Sequence, residues 1–169
     1  SYAERLFSYH AVDALSTDEA ASALTDPAEG EGVSWAPDAV VQVLEAAGGF
    51  PYFLQQFGQD TWSAASASPL TLADAKLGVA TGQHALDTGF FRIRWDRATA
   101  SEKEYLRAMA VDGDAGSSSG TVAARLGKKI NALGPTRANL ISKGLIYSPD
   151  HGVVAYTVPA MSAFVLRQP

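Results

Sequence analysis

Several short patterns in this chain combine residue types that do chemistry elsewhere, and most of them lack a partner that the chemistry needs. Gly116-Ser117-Ser118-Ser119-Gly120 fits the G-x-S-x-G pattern of hydrolases. That motif works where a strand turns sharply into a helix and thrusts its serine outward. Here it follows a helical pattern and a small-polar run, and His151 is the one histidine downstream to act as a base. The segment therefore reads as a flexible linker. Asp112 and Asp114 mimic the start of a calcium loop, but Gly116 and Ala123 stand where further ligands are required, so this reads as a turn. His10, His84 and His151 are far apart and match no metal spacing. Without cysteine there is no thiolate cluster, no cysteine nucleophile and no disulfide framework. Walker A, G-x-G-x-x-G and H-E-x-x-H patterns are also missing. The expectation is a segment that is not an enzyme by itself, with no metal.

Two other strings carry binding chemistry. Gly48-Gly49-Phe50-Pro51-Tyr52 places two glycines before a proline inside an apolar, aromatic stretch. One reading is a tight connection, the glycines ending one helix and the proline beginning the next. The other uses the same geometry for recognition. A proline ring is apolar and has no N–H, so it can lie against a nucleobase while glycines allow close backbone approach. Further on, residues 125–143 carry five basic side chains and no acidic one, a pattern that suits phosphate contacts.

The elements that must position these strings follow from periodicity and punctuation. Leu6, Phe7, Tyr9 and Val12 suggest a strand or extended lead-in. Ser16-Thr17-Asp18-Glu19 is a capping box opening a helix that should end near Pro27. Pro37 opens a second helix with Val40, Val43, Leu44 and Ala47 inward, stopped by Gly48-Gly49. Pro51 opens a third, with a stripe of Phe53, Leu54, Phe57, Thr61, Trp62 and Ala65. Thr71-Leu72-Ala73-Asp74 caps a fourth, running towards Phe90 and Phe91. In the second half, Thr99 or Ser101 caps a helix bearing Tyr105, Leu106 and Met109. A short helix around Val122–Leu126 and another over about Asn131–Lys143 come next. Leu145–Ser148 and Val153–Val158 flank a Gly-ended turn and read as a β-hairpin. Three helices and a hairpin is the order of a winged helix-turn-helix, so the expected fold is mainly α: a four-helix bundle over residues 1–95, then a winged helix over 96–169.

Charge supports that division. Across its 169 residues the chain is net −5, but residues 1–100 hold five basic and 13 acidic side chains, whereas residues 101–169 hold eight and five. The acidic first part is a poor nucleic-acid surface and the basic second part a better one. No apolar run approaches the roughly 20 residues of a membrane span, and no basic-then-apolar leader is visible. The reading is cytoplasmic and not membrane-bound. The chain starts at Ser1 and enters an apolar stretch at once, as expected of a piece of a longer protein.

The segment from Leu15 through "PDAVVQVLEAAGGFPYFLQQFGQDTW" resembles the helical lid of AAA+-like ATPases, especially STAND and archaeal-type ATPases. In that family a glycine-x-proline step, matched by Gly49-Phe50-Pro51, sets the proline beside adenine. The lid follows a nucleotide-binding core and precedes a winged helix. The resemblance covers about residues 1–90 and implies nucleotide contact by Gly49, Pro51 and Tyr52. It implies ATP or ADP as ligand only together with an upstream ATPase core of the same protein. The phosphate loop, magnesium-binding acid and sensor strand of the family are not in this sequence. Residues 50–66 also contain no Arg or Lys to sense a γ-phosphate.

For the winged helix, Lys128 and Lys129 fall in the turn and Asn131–Lys143 on the third helix. Projection of that helix sets Leu133, Leu140 and Ile141 on one side, with Asn131, Pro135, Asn139 and Ser142 opposite and Lys143 at their edge. Lys128, Lys129, Asn131, Asn139 and Lys143 are the candidate DNA contacts. Arg137 falls in the apolar stripe, where it would pack or pair internally. A protein partner for this half stays open beside duplex DNA. The alternative for the whole is a transcription-regulator piece whose acidic helical half binds an effector or partner.

Overall fold

The computed structural model describes residues 14–169; the extended lead-in at Leu6–Val12, and His10 with it, lie outside them. The described residues are mainly helical, with one small three-stranded sheet. They fall into two compact units, the first ending at Gln83 and the second spanning His84–Pro169.

The first unit contains α1 (Thr17–Gly30), α2 (Pro37–Ala47), α3 (Pro51–Ala64) and most of α4 (Leu72–Ala85). The Ser16 capping box forms: the Ser16 N–H donates to Glu19 Oε2 at 2.9 Å, and Ser16 Oγ accepts from the Glu19 N–H. The helix does not end near Pro27 but carries it inside and runs on to Gly30. Pro27 is exposed and forfeits a single backbone bond, whereas stopping there would unseat Ala28, which is buried in register with Ala20 and Leu24. The Ala28 carbonyl then accepts from Glu31 and Val33. On α2, Val43 and Ala47 face the core as expected and Ala39 joins them, whereas Val40 and Leu44 are half-buried. Ser66–Pro69 precedes Leu70, which pairs with Trp35 in an isolated parallel bridge.

Helices α3 and α4 meet at glycines. A Cβ on Gly78 would lie 2.3 Å from the Thr61 nitrogen, and one on Gly82 would lie 2.6 Å from the Phe57 ring. Glycines four residues apart thus let the α4 backbone rest directly on α3. Thr61, wholly buried at that contact, closes its hydroxyl onto the Phe57 carbonyl at 2.7 Å.

The second unit begins with the π-helical segment Leu86–Phe91 and α5 (Arg92–Asp96). There follow α6 (Ala100–Ala110), β1 (Ser117–Ser118), α7 (Ser119–Arg125), a 3-10 turn Ile130–Leu133, α8 (Gly134–Ser142), β2 (Ile146–Tyr147), β3 (Val153–Tyr156) and α9 (Met161–Leu166). The compact unit begins at His84, earlier than residue 96. Leu86, Phe91 and Trp95 are buried, and both Phe91 and Trp95 pack on Phe164 of α9, the first stacked at 5.3 Å.

The expected hairpin is present as β2 and β3, with Ile146 opposite Tyr156 and Tyr147 opposite Ala155. β1 joins the other side of β3, giving the antiparallel order β1-β3-β2. This corrects the reading of Gly116–Gly120 as a flexible linker. Ser117 is buried and donates its hydroxyl to the Met109 carbonyl, and Ser118 Oγ accepts from the Thr121 N–H as the cap of α7. The two loop carboxylates also have structural partners. Asp112 grips Arg125 with both oxygens, and Asp114 accepts from the Ala160 and Ser162 N–H groups at the start of α9.

The helix expected over Asn131–Lys143 is two pieces, because Gly134-Pro135 interrupts it. Pro135 brings no N–H to continue a ladder from the preceding turn but suits a new helix start. Residues in the 3-10 turn advance about 120° and not 100°, so the two pieces do not share one helical projection. Leu133 and Leu140 are buried as expected, but Ile141, at the edge of the stripe, is 39% exposed.

Two outcomes follow from this packing. Gly78→Ala should destabilise the chain by about 1–3 kcal/mol, because crowding against Thr61 backbone exceeds the gain in helix propensity; chemical denaturation measures it, and an unchanged midpoint would contradict the contact. The second concerns acid. The bonds that Asp112 accepts from Arg125, and next the nearby Ser117 hydroxyl, hold its carboxyl at about 2 in the folded chain. Its folded value is below its unfolded one, so the contribution is complete above the ordinary carboxylate range near pH 4 and is lost as pH falls towards 2. Thermal melts across pH 2–6 should show a shallower acid limb for Asp112→Asn than for wild type.

Candidate functional site

Two surfaces carry the residues nominated from sequence, and each belongs to one unit. The first is the corner between α2 and α3. Gly48 ends α2 in the left-handed region at φ 57°, with its N–H on the Leu44 carbonyl. Gly49 follows at φ 77°, and its carbonyl accepts from the Leu15 N–H at 2.8 Å. A Cβ at Gly49 would stand 2.7 Å from the Leu15 carbonyl oxygen, so this position needs glycine for both its φ and its space. Phe50 is extended, and Pro51 then occupies the first turn of α3. Pro51 is exposed and Tyr52 is 56% exposed, while Phe53 turns into the core. The rings of Phe50 and Tyr52 both touch Phe53, at centroid distances of 5.9 and 6.2 Å.

The corner thus presents an outward apolar edge of Phe50, Pro51 and Tyr52 on a backbone fixed by Gly49. Gly49 also lines a cavity of about 390 Å³ with Leu15, Ala20, Val41, Leu44 and Glu45; Pro51 and Tyr52 are not in its walls. The structure therefore places Gly49 and the Pro51–Tyr52 pair next to each other in sequence but on different surfaces. Trp62, expected in the core stripe, is 43% exposed instead. It lines a second cavity of about 370 Å³ with Leu24, Pro27, Trp35 and Leu54.

The second surface is the turn between α7 and α8. Lys128, Lys129, Asn131 and Asn139 are all exposed, and neither lysine side chain has a hydrogen-bond or ion-pair partner among the described residues. Lys143 differs. Its Nζ donates to Glu102 Oε2 at 2.6 Å and to the Arg97 carbonyl at 2.9 Å. Glu102 is itself 2% exposed and also caps α6 through the Thr99 N–H. Burial pushes its carboxyl up, but the bonds from Lys143 and Thr99 outweigh this and hold it below the ordinary value. Lys143 is thus a structural cation, bound where a contact with DNA would have to break a buried pair.

Arg125 and Arg137 are likewise engaged. Arg125 serves Asp112 and the Ala108 carbonyl, and half-buried Arg137 donates to Ser148 Oγ at 2.8 Å. Of the five cations between residues 125 and 143, two remain without a partner among the described residues. The basic run counted in the sequence is mostly internal glue. A cap at Thr99 or Ser101 was legible in the sequence, but the part of Glu102 in it and its link to a lysine 41 positions away were not. Among the described residues there is no metal-holding cluster of His, Asp or Glu, and no helix long and apolar enough to cross a membrane.

Comparison with known proteins extends this only part of the way. A family model described as a domain of unknown function, DUF8462, matches residues 88–165, which lie within the second unit and make up less than half of the chain. No curated protein matches the sequence significantly. Among solved structures, the chain is similar to the RuvB Holliday junction branch migration motor of Thermotoga maritima. The identity is 13% and the TM-score 0.41, over 85% of this chain and 47% of that one. Two point mutants of the same RuvB match at 14% and 13% identity with TM-scores of 0.41 and 0.42, each over 88% of this chain and 51% of the other. The chain spans about half the length of the solved structures it matches.

Proposed function

We propose that this chain is the lid and winged-helix part of an AAA+- or STAND-like ATP-binding protein. In this reading the first unit closes over adenine nucleotide held by a core elsewhere in the same protein, and the second is a winged helix that passes on the nucleotide state. The observation that carries it is the α2–α3 corner. Gly49 has no room for a side chain and fixes the turn, so that the next two residues past Phe50 hold an apolar edge outward. A bare helix connection needs the glycines and the proline, but it does not need Pro51 and Tyr52 exposed side by side on a backbone clasped by Leu15. The order of units, a helical bundle and then three helices with an antiparallel wing, supports the same reading.

Such a lid offers adenine an apolar face and no phosphate cradle, so its own affinity is weak. In the isolated chain, millimolar ATP or ADP should shift the amide signals of Phe50, Tyr52 and Phe53 in a two-dimensional NMR spectrum. Pro51→Ala should remove the shifts at an unchanged melting temperature. Submicromolar binding, or no response at those amides, would overturn the nucleotide reading.

The second unit in this reading meets duplex DNA through Lys128, Lys129, Asn131 and Asn139. With two unpartnered lysines, log affinity should fall with log salt at a slope of about −2, against about −4.5 if all five cations met phosphate. Lys128→Glu with Lys129→Glu should abolish gel shifts at low salt for all sequences alike. The small number of unpartnered cations favours a second reading, a protein partner on the same face, and a folded chain that shifts no DNA even at low salt would establish that choice over DNA.

A further inference from the structure

Behind the turn that carries Lys128 and Lys129 is a cavity of about 410 Å³, lined by Tyr105, Ser119, Ile130, Asn131, Leu133, Gly134 and Arg137. Its lining holds an unusual concentration of polar atoms without protein partners. Ser119 Oγ and Arg137 Nε are both buried and unpartnered. The Tyr105 hydroxyl makes no hydrogen bond among the described residues, although its side chain is almost wholly buried. Tyr105 and Arg137 line the same cavity. A fully buried donor left unmet is costly, so Ser119 Oγ and Arg137 Nε are kept where something else satisfies them.

The chemistry of the three groups is directional. A guanidinium Nε–H can only donate, and both hydroxyls can donate. Three donors and one positive charge on a shared wall suit a single oxyanion. The rest of the lining is apolar: the side chains of Ile130 and Leu133 and the ring of Tyr105. Exposed Ile130, Asn131 and Gly134 form the mouth. A space of this size exceeds what a bare inorganic anion fills and falls in the range of small-molecule sites. One cation matches a monoanion better than a doubly charged phosphate.

We propose that this cavity binds a small organic carboxylate, its head on Arg137 Nε, Tyr105 Oη and Ser119 Oγ and its apolar body against Ile130 and Leu133. The site is independent of the nucleotide reading, since it uses no residue of the first unit.

The test uses the whole chain with benzoate, hexanoate, acetate, inorganic phosphate and hexylamine as probes, read by amide NMR shifts and thermal melts. Benzoate or hexanoate should shift the amides of Ser119, Ile130–Gly134 and Arg137 saturably, with a dissociation constant on the order of 1 mM for ligands of this size. Acetate and phosphate should bind more weakly, and hexylamine not at all. Ser119→Ala and Tyr105→Phe should each weaken binding by about fivefold. Because their polar atoms have no protein partner, both variants should melt at or above the wild-type temperature without ligand. Arg137→Gln should weaken binding at least tenfold, by about the worth of a charged hydrogen bond. Several results would overturn the proposal: no saturable shift up to about 50 mM, far past the range expected for such ligands; phosphate or hexylamine binding as well as benzoate; or the two hydroxyl variants melting below wild type with no carboxylate bound, which would mean that ordered water alone completes the site.

Discussion

The second unit depends on one buried carboxylate. Glu102 caps the start of α6 through the Thr99 N–H and, with the same oxygen, receives Lys143 at the end of α8. Arg97 and Lys143 exchange bonds across the same junction, each donating a side-chain N–H to the other's carbonyl. A carboxylate this deeply buried is tolerable only when paired and hydrogen-bonded. The pairing fixes where α8 ends relative to α6, and with it the origin of β2 and the β2–β3 hairpin. It also withdraws a cation from the surface that a nucleic acid would meet.

The same economy of charge runs through the unit. Arg125 holds the loop after α6 by way of Asp112, and Asp114 caps α9 from that loop. Ser117 and Ser118 turn a run of small polar residues into a strand and a helix cap. A segment whose composition suggests flexibility is instead the seam joining α6, β3, α7 and α9. Among the described residues of the unit, Lys128 and Lys129 stay unpaired on a surface that also carries exposed Asn131 and Asn139 and the mouth of a cavity with unmet donors.

The first unit is organised by the absence of side chains. Gly78 and Gly82 let α4 touch α3, Gly58 makes room for Leu24, and Gly49 lets the Leu15 backbone press on the α2–α3 corner. Close backbone contact makes these places sensitive to the addition of one carbon, because interiors pack too densely to absorb it. The corner is therefore rigid, and a rigid corner can present an apolar edge in one orientation.

The sequence by itself determined what is local. The capping box at Ser16, a cap at Thr99 or Ser101, prolines at helix starts, glycine at the end of α2 and alternation in β3 each act within a few residues, so element type and order could be read along the chain. The inward place of Arg137 was legible for the same reason, as a position in a short helical stripe. Tertiary structure decided everything that needs a distant partner. The helix passing through Pro27 was held by the burial of Ala28. The serine run became a strand because β3 lay open beside it. Lys143 ceased to be a surface charge because Glu102, 41 residues earlier, was buried without another cation. No local rule reports such pairings, since burial and the cost of an unmet charge belong to the folded arrangement and not to the spacing of residues along the chain.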